Sequence, residues 1–532
     1  MALAAIAAPL SPMRYHEARG VMSESTSNNP FVPSPATPPL PGASDLVEQA
    51  YTRASGAPLV GGNAVRVLKD GAANYAAWFA AIRAARKMVC FENYIIEDDE
   101  VGNELASALI DRARNGVKVR MLHDWLGSLG GATRRYWRVL VAAGVEVRRF
   151  NPPRIDSPVG WLSRDHRKTL SVDGEIAFVT GVCVSHRWLG DPARGIPPWR
   201  DTGIEIRGPA VAYVERAFSE VWAASGGSIS AEELSDPATL PRVGDVSLRV
   251  IADVPSKARL FRLDQLIATA ATRTLWLTDA YFVGFSPYVQ ALCAAAQDAV
   301  DVRLLVPSAS DLQLVSAFSR AGYRPLLEAG VRVFEWNGSM LHAKTAVADG
   351  RWARVGSSNL NLASFISNYE IDVAMEHAGL AREMEQMFLA DLENATEIVI
   401  NLKSQVAPDA SVAARGDRGK AASRGASGRA IGAVRFAHAV GSVVRRRRTL
   451  GFAESSLMAV FAGILLASAA IAALWPRVVA LPLAAVMAWL GASLMLRALR
   501  LRRRRARQRR EWLKDATASA AADVKKSTEE RV

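Results

Sequence analysis

From residue 58 onward the chain alternates between two apolar rhythms. Short, largely apolar runs such as MVCFENYII, TLWLTDAYFV, VDVRLLVP and VRVFEWNG have the length and the branched and aromatic content of strands. Between them, apolar residues recur every three or four positions, as in AANYAAWFAAIRAARK, in VGNELASALIDRARNG up to Gly116, and in TRRYWRVLVAAG. That spacing puts the apolar side chains on one helical face. Strands alternating with helices predict an α/β fold, a mostly parallel sheet covered by helices.

The order occurs twice. One series runs from GNAVRVLKDG to VEVRRFNP, and SLRVIADV opens the next, which ends at VRVFEWNG. Each series leads to a near-copy of one pattern, His166-x-Lys168 with Asp173 and His342-x-Lys344 with Asp349. The two histidines are 176 residues apart, far beyond the about 20–50 residues of a solenoid unit, so the pattern predicts a duplicated domain. The expected layout is a disordered leader over 1–57, a first domain over 58–235, a linker over 236–245 and a second domain over 246–400. A flexible basic tether over 401–455 follows, then a helical hairpin over 456–496 and a basic tail over 497–532.

The hairpin rests on two uncharged apolar runs, Ser456–Trp475 and Val478–Leu496, joined by Pro476-Arg477. Each is long enough as a helix to span roughly 30 Å, the thickness of a bilayer core. Arg445–Arg448 precede the pair, and Arg497, Arg500 and Arg502–Arg505 follow it. Positive charge on both flanks predicts that both ends, and with them the two domains, lie on the cytoplasmic side of a membrane.

Charge sharpens this division. The net charge is +13, but residues 401–532 hold 25 Lys+Arg against 8 Asp+Glu, which leaves residues 1–400 at −4. The folded body therefore lacks the basic surface of a nucleic-acid binder, and no nucleic-acid partner is expected. Cys90, Cys183 and Cys293 are odd in number and widely spaced, so they predict neither a disulfide framework nor a metal site.

The chemistry lies in the repeated pattern. Asp-Gly flanked by apolar residues, as in HRKTLSVDGEIAFVTG and HAKTAVADGRWARVG, is a strong hairpin signal. Residues i and i+2 of a strand share a face, so His166 projects with Lys168, and His342 with Lys344. Two imidazoles and two ammoniums in one pocket suit phosphoryl transfer. One imidazole attacks phosphorus, the other moves the proton, and the lysines balance charge on the nonbridging oxygens. This scheme requires neither metal nor cofactor. Ser185, Ser357 and Asn359 are placed to donate to phosphate, and Asp201 or Glu370 to fix a histidine tautomer. Trp161, Trp188 and Trp199 are candidates for an acyl entrance or for core packing. His123 and His186 are expected to be structural or pocket-lining, not catalytic.

With these motifs the sequence resembles the phospholipase D superfamily, whose signature is HxKxxxxD followed by GGxN or GSxN. Within it, residues 58–400 are similar to bacterial cardiolipin synthases, more to the B-type branch. The resemblance rests on VRMLHDWLGS, DHRKTLSVDGEIAFVTG, WRDTGIEIRGPAV, LTDAYFV, LHAKTAVADG and RVGSSNLNLASF. It implies two α/β domains with one shared site, and transfer of a phosphatidyl group through a phosphohistidine. His166 would be the nucleophile and His342 the acid/base, with Asp173 and Asp349 shaping the hairpins and supporting the site. Anionic phospholipids (phosphatidylglycerol, cardiolipin) and a membrane are the implied partners. Two departures stand out. Cys183 occupies the Asn position of the first copy, whereas the second keeps Gly356-Ser357-Ser358-Asn359. The hairpin is C-terminal, whereas the best-known cardiolipin synthases carry theirs at the N-terminus. Hydrolysis to phosphatidic acid, nuclease activity and an inactive membrane scaffold are the competing readings.

Overall fold

A computed structural model describes residues 43–153, 162–311, 319–320, 322–400 and 447–450, with scattered positions between 463 and 495. The chain divides into a unit of Met1–Val47 and a unit from Glu48 to the C-terminus, and the second holds every element of the site. Sixteen strands among the described residues form one hydrogen-bonded series.

The first half supplies β1 (Val60–Lys69), β2 (Met88–Asn93), β3 (Lys118–Asp124), β4 (Glu146–Phe150), β5 (Thr169–Val172), β6 (Ile176–Thr180) and β7 (Thr202–Arg207). The second supplies β8 (Val246–Asp253), β9 (Thr274–Thr278), β10 (Asp301–Pro307), β11 (Arg332–Trp336), β12 (Thr345–Ala348), β13 (Trp352–Gly356) and β14 (Glu370–Glu376), then β15 (Ala395–Ile400) and β16 (Arg447–Leu450). From the middle outward, β1-β7-β6-β5-β2-β3-β4 mirrors β8-β14-β13-β12-β9-β10-β11, and β1 pairs with β8. The duplication read from the sequence is thus a duplication of strand order.

The expectation of a mostly parallel sheet is corrected. Five of the pairings are parallel and ten antiparallel. Helical crossovers join β2, β3 and β4, and likewise β9, β10 and β11, which keeps those strands parallel. The Asp-Gly turns force the motif strands to reverse. Val172 faces Ile176 and Ala348 faces Trp352 across three-residue turns. Asp173 (φ 56°) and Gly174 (φ 74°), and Asp349 (φ 53°) and Gly350 (φ 63°), adopt the left-handed conformation there.

Two further expectations change at the edges. Residues 43–55, within the presumed disordered leader, form the helix Ala43–Ser55. Arg447–Leu450, within the presumed flexible tether, pair in parallel with β15. The predicted membrane hairpin falls largely outside the described residues, and among those described no helix is long and apolar enough to cross a membrane.

Each half buries its own apolar core, around Phe91, Leu105, Met121 and Phe178 in the first and Leu263, Leu277, Leu292 and Leu304 in the second. A third core belongs to both. Val179, Ile204 and Ile206 from β6 and β7 pack with Val355, Ile371 and Val373 from β13 and β14. This shared core joins β6 and β7 to β13 and β14; an acidic residue, Asp201, directly precedes β7, and another, Glu370, opens β14.

Candidate active site

Each His-x-Lys segment enters its strand stitched to the opposite half. His166 N–H donates to the Tyr369 carbonyl at 2.9 Å, and His342 N–H donates to the Arg200 carbonyl at 2.7 Å. The next residue on each clamp is the acid, Glu370 or Asp201. His166 Nδ1 lies 2.9 Å from Glu370 Oε2, and His342 Nδ1 lies 2.8 Å from Asp201 Oδ2. The pairing is crossed, each half supplying the carboxylate for the other half's imidazole. A carboxylate only accepts, so Nδ1 carries the proton and Nε2 keeps its lone pair.

The carboxylates are themselves held. Glu370 accepts from Ser357 Oγ at 2.6 Å and from Asn368 Nδ2 at 3.2 Å. Asp201 accepts from Trp188 Nε1 at 2.8 Å and from the Thr202 N–H at 2.8 Å. Both acids are fully buried. Burial alone would raise their pKa values, but His342, Lys344 and Trp188 hold Asp201 below the usual carboxylate range, and His166, Lys168 and Ser357 do the same for Glu370.

Lys168 and Lys344 each donate to the carbonyl of the histidine two residues earlier. Burial and then the Lys344 charge push the His342 imidazole down to about 4, while Asp201 resists. Burial lowers His166 as well, against Glu370 and with Lys168 and Lys344. Burial brings the Lys344 ammonium down to about 8. Lys344 acts on His166 and Lys168 acts on His342, so both halves' charges meet in one site. At neutral pH both imidazoles are uncharged beside two ammoniums, the state a nitrogen nucleophile for a phosphodiester anion needs.

Aromatic rings complete the walls. Tyr94 meets His166 edge-on at 4.8 Å and Tyr281 meets His342 at 5.8 Å, with Lys168 and Lys344 above the same two rings at 5.1 and 5.8 Å. Trp188 and Trp199 add to the His342 side only, at 5.3 and 5.9 Å. Trp161 lies outside the described residues.

This geometry agrees with what comparison with known proteins finds. Residues 79–222 and 263–392 match the family described as "Cardiolipin synthase, PLD-like domain". The chain belongs to the cardiolipin synthase family of phospholipase D-like proteins. Cardiolipin synthase A of Pseudomonas aeruginosa is 36% identical over 362 residues, covering 66% of this chain and 71% of that one. Cardiolipin synthase of Halalkalibacterium halodurans is 33% identical over 344 residues, covering 63% and 67%. The Pseudomonas relative bears the name cardiolipin synthase A, and that name does not bear on the B-type likeness read from the sequence. The crystal structure of phosphatidylserine synthase from Haemophilus influenzae shares the fold, with a TM-score of 0.53 at 13% identity over 66% of this chain and 92% of that one. With this family membership, the chain is a phosphatidyltransferase enzyme.

Against the family signature, several expected site residues take different places. Asp173 and Asp349 are not at the reacting centre. Each follows the four-residue strand that begins after its lysine, about 16 Å along the chain from Lys168 or Lys344. Asp173 accepts from the backbone N–H groups of Arg86, Lys87 and Met88 at 2.7–2.8 Å. Asp349 accepts from those of Thr272, Arg273 and Thr274 at 2.8–2.9 Å. They anchor the hairpin turns to the starts of β2 and β9. Asp173→Ala and Asp349→Ala should each cost about 2–3 kcal/mol of stability, since three backbone donors lose a charged acceptor. Thermal unfolding checks this, and turnover per folded molecule should stay within about threefold of wild type, far from a catalytic loss.

Ser185 is also displaced from its expected role. Its hydroxyl donates to Glu97 at 2.6 Å and accepts the Arg187 N–H, so its one proton is committed away from the histidines. Ser357 supports Glu370 instead of facing phosphate directly. Asn359 is buried, with its side-chain carbonyl oxygen unpartnered. Cys183 is fully buried in the first core, and burial raises its thiol pKa, so it is a neutral packing residue. His123 stacks on Trp137 at 4.0 Å.

Proposed function

We propose that the protein transfers a phosphatidyl group from one phosphatidylglycerol to another, making cardiolipin and releasing glycerol. The observation that carries this is the crossed pair of histidine–carboxylate contacts with a lysine on each side. His166 Nε2 attacks the donor phosphorus as the bond from phosphorus to the glycerol headgroup oxygen breaks. His342, protonated at Nε2, gives that oxygen its proton. Glycerol leaves, and a phosphatidyl–His166 intermediate remains. A hydroxyl of a second phosphatidylglycerol then attacks phosphorus, loses its proton to His342 and displaces His166. Lys168 and Lys344 neutralise the nonbridging oxygens throughout, and Asn359 offers its amide to them.

A low imidazole pKa suits the nucleophile but not the acid. The bound phosphodiester resolves the conflict. Its anion offsets the two ammoniums, so His342 gains proton affinity only once substrate is present. The bacterial cell membrane, with the catalytic halves on its cytoplasmic side, follows from the arginine-flanked apolar runs of 456–496. It is part of the same proposal.

The test is product analysis by mass spectrometry after incubating the purified full chain with phosphatidylglycerol liposomes. Cardiolipin with matching glycerol release supports transfer. Phosphatidic acid alone supports hydrolysis instead. Absence of any lipid product, with cleavage of single-stranded DNA, overturns both.

The pH profile makes a further prediction. kcat/KM reports the free enzyme. As pH rises through about 8, Lys344 loses its proton and one phosphate-neutralising charge disappears, so kcat/KM should fall. His342 must carry a proton to act as the acid and is neutral in the free enzyme above about 4, so this group should raise kcat/KM as pH drops from 7 to 5. The folded imidazole takes its proton later than an unfolded one, so stability, unlike kcat/KM, should decline as pH falls from about 6.5 to 4.

A further inference from the structure

We infer that the loops around the active-site entrance form an apolar, basic rim that docks on the surface of a phospholipid bilayer. The inference rests on the proposed lipid substrate. A phosphatidyl donor carries two long acyl chains, whereas His166 and His342 are buried among polar and aromatic side chains. The headgroup must reach the histidines while the chains stay in the bilayer, so the entrance has to meet the lipid surface directly.

Large apolar side chains are exposed where this requires them. Leu126, Leu129, Leu162, Ile196, Leu362 and Ile366 are 38–60% exposed. Each lies in a loop or short helix tied to the site. Leu126 and Leu129 flank Gly127 and Ser128, which pack on Tyr94, the ring that meets His166. Leu162 precedes Ser163, whose hydroxyl donates to the carbonyl of Ser367, next to Ile366. Ile196 is three residues before Trp199, which packs near His342. Leu362 follows Asn361, whose amide donates to the carbonyl of Tyr281, the other ring at His342. Two strands of evidence, exposure and connection to the histidines, therefore select the same side chains.

Charge on these segments fits an anionic lipid surface. Arg134 and Arg135 follow the Leu129 loop, Arg194 precedes Ile196, and Lys257 adjoins Ser256, whose N–H donates to the Ile366 carbonyl; all four basic side chains are exposed, and Arg194 pairs with Asp191 at 3.8 Å. Nearby carboxylates are held by local donors but keep their charge, and Glu100 is exposed beside His186. Asp98 accepts from Thr133 and Asn103, Asp99 from the N–H groups of Gly102 and His186, and Asp191 from the Arg194 N–H. Exposed leucines with basic neighbours are the composition that settles into the headgroup boundary of anionic membranes.

The test compares two forms of one substrate with the full chain. Leu129→Ser with Leu162→Ser, and Leu362→Ser with Ile366→Ser, are assayed on phosphatidylglycerol vesicles and on monomeric dihexanoyl phosphatidylglycerol below its micelle concentration. Turnover on vesicles should drop at least about tenfold, while turnover on the monomer stays within about twofold. Val141→Ser with Val243→Ser, exposed apolar residues away from the entrance, should change neither. Equal activity on both forms, or equal loss on both, overturns the inference. A second readout needs no turnover. In a Cys293→Ser background, a fluorophore at Leu129→Cys or Leu362→Cys in the reconstituted full chain should be quenched by lipids carrying a quencher near the headgroup, and one at Val243→Cys should not. Wild-type protein inert on both substrates but quenched at the rim would refute the proposed reaction and retain the docking. No quenching at the rim would refute the docking alone.

Discussion

His166→Ala and His342→Ala should each reduce phosphatidyl transfer by about ten-thousand-fold, and the double variant should be no worse than either single one. The two imidazoles serve one reaction path, so removing the second after the first costs nothing more. Each is also clamped by backbone and carboxylate from the opposite half. The check is initial-rate measurement on phosphatidylglycerol, together with rapid acid quench using donor labelled in the phosphate. Wild type should retain label on protein at short times, and His166→Asn should retain none. Near-wild-type turnover in either alanine variant would refute the two-histidine mechanism, and label bound to His166→Asn would refute the nucleophile assignment.

Much of this site was legible because it is local in sequence. His-x-Lys places two side chains on one face, and Asp-Gly closes a hairpin, whatever the rest of the fold does. The duplication was legible for the same reason, since strand and helix rhythms repeat in order. Sheet polarity was not. The rhythm of β2, β3 and β4 reads as parallel, and nothing within a run reveals that β5 and β6 will be inserted beside β2. Asp173 and Asp349 belong to the motif and were expected to shape the hairpin and support the site, and four strand residues carry them away from the lysines. The motif there records a turn and its three backbone donors. Ser185 looked like a phosphate donor until its partner Glu97, distant in sequence, was visible.

The crossed carboxylates were half legible. Asp201 and Glu370 were visible as acids downstream of each motif, but the partner of each lies 141 or 204 residues away. Only the core shared by β6, β7, β13 and β14 decides which acid meets which ring. Tyr94 and Tyr281 carried a signal that went unused. They stand just past the ends of β2 and β9, equivalent strands of the two halves, so aligning the repeat with itself would have paired them. Trp188 and Trp199 had no such signal, because among the described residues the second half supplies no matching pair of tryptophans around His166.

The crossing has a kinetic consequence, and it separates the two acids. Glu370→Gln removes the charge that fixes the His166 tautomer, and Asp201→Asn does the same at His342. Each should lower kcat by about a hundred- to ten-thousand-fold with little change in KM, because neither acid is placed to touch substrate. The point of failure should differ. With His166 as nucleophile, Glu370→Gln weakens the attacking nitrogen, so labelled phosphatidyl–protein should not accumulate. Asp201→Asn cripples the group that protonates glycerol and then deprotonates the acceptor, so intermediate forms slowly and also decays slowly once formed. A donor with a better leaving group than glycerol bypasses the first of these defects. On such a donor, Asp201→Asn should show a burst followed by a stall, and Glu370→Gln should show no burst. The reverse pattern would exchange the roles of the two histidines while leaving the crossed architecture intact. Equal bursts in both variants would mean that neither carboxylate acts through its imidazole. Trp188→Phe, which removes one neutral donor from Asp201 and keeps its charge, should cost only about tenfold or less and should leave the burst unchanged.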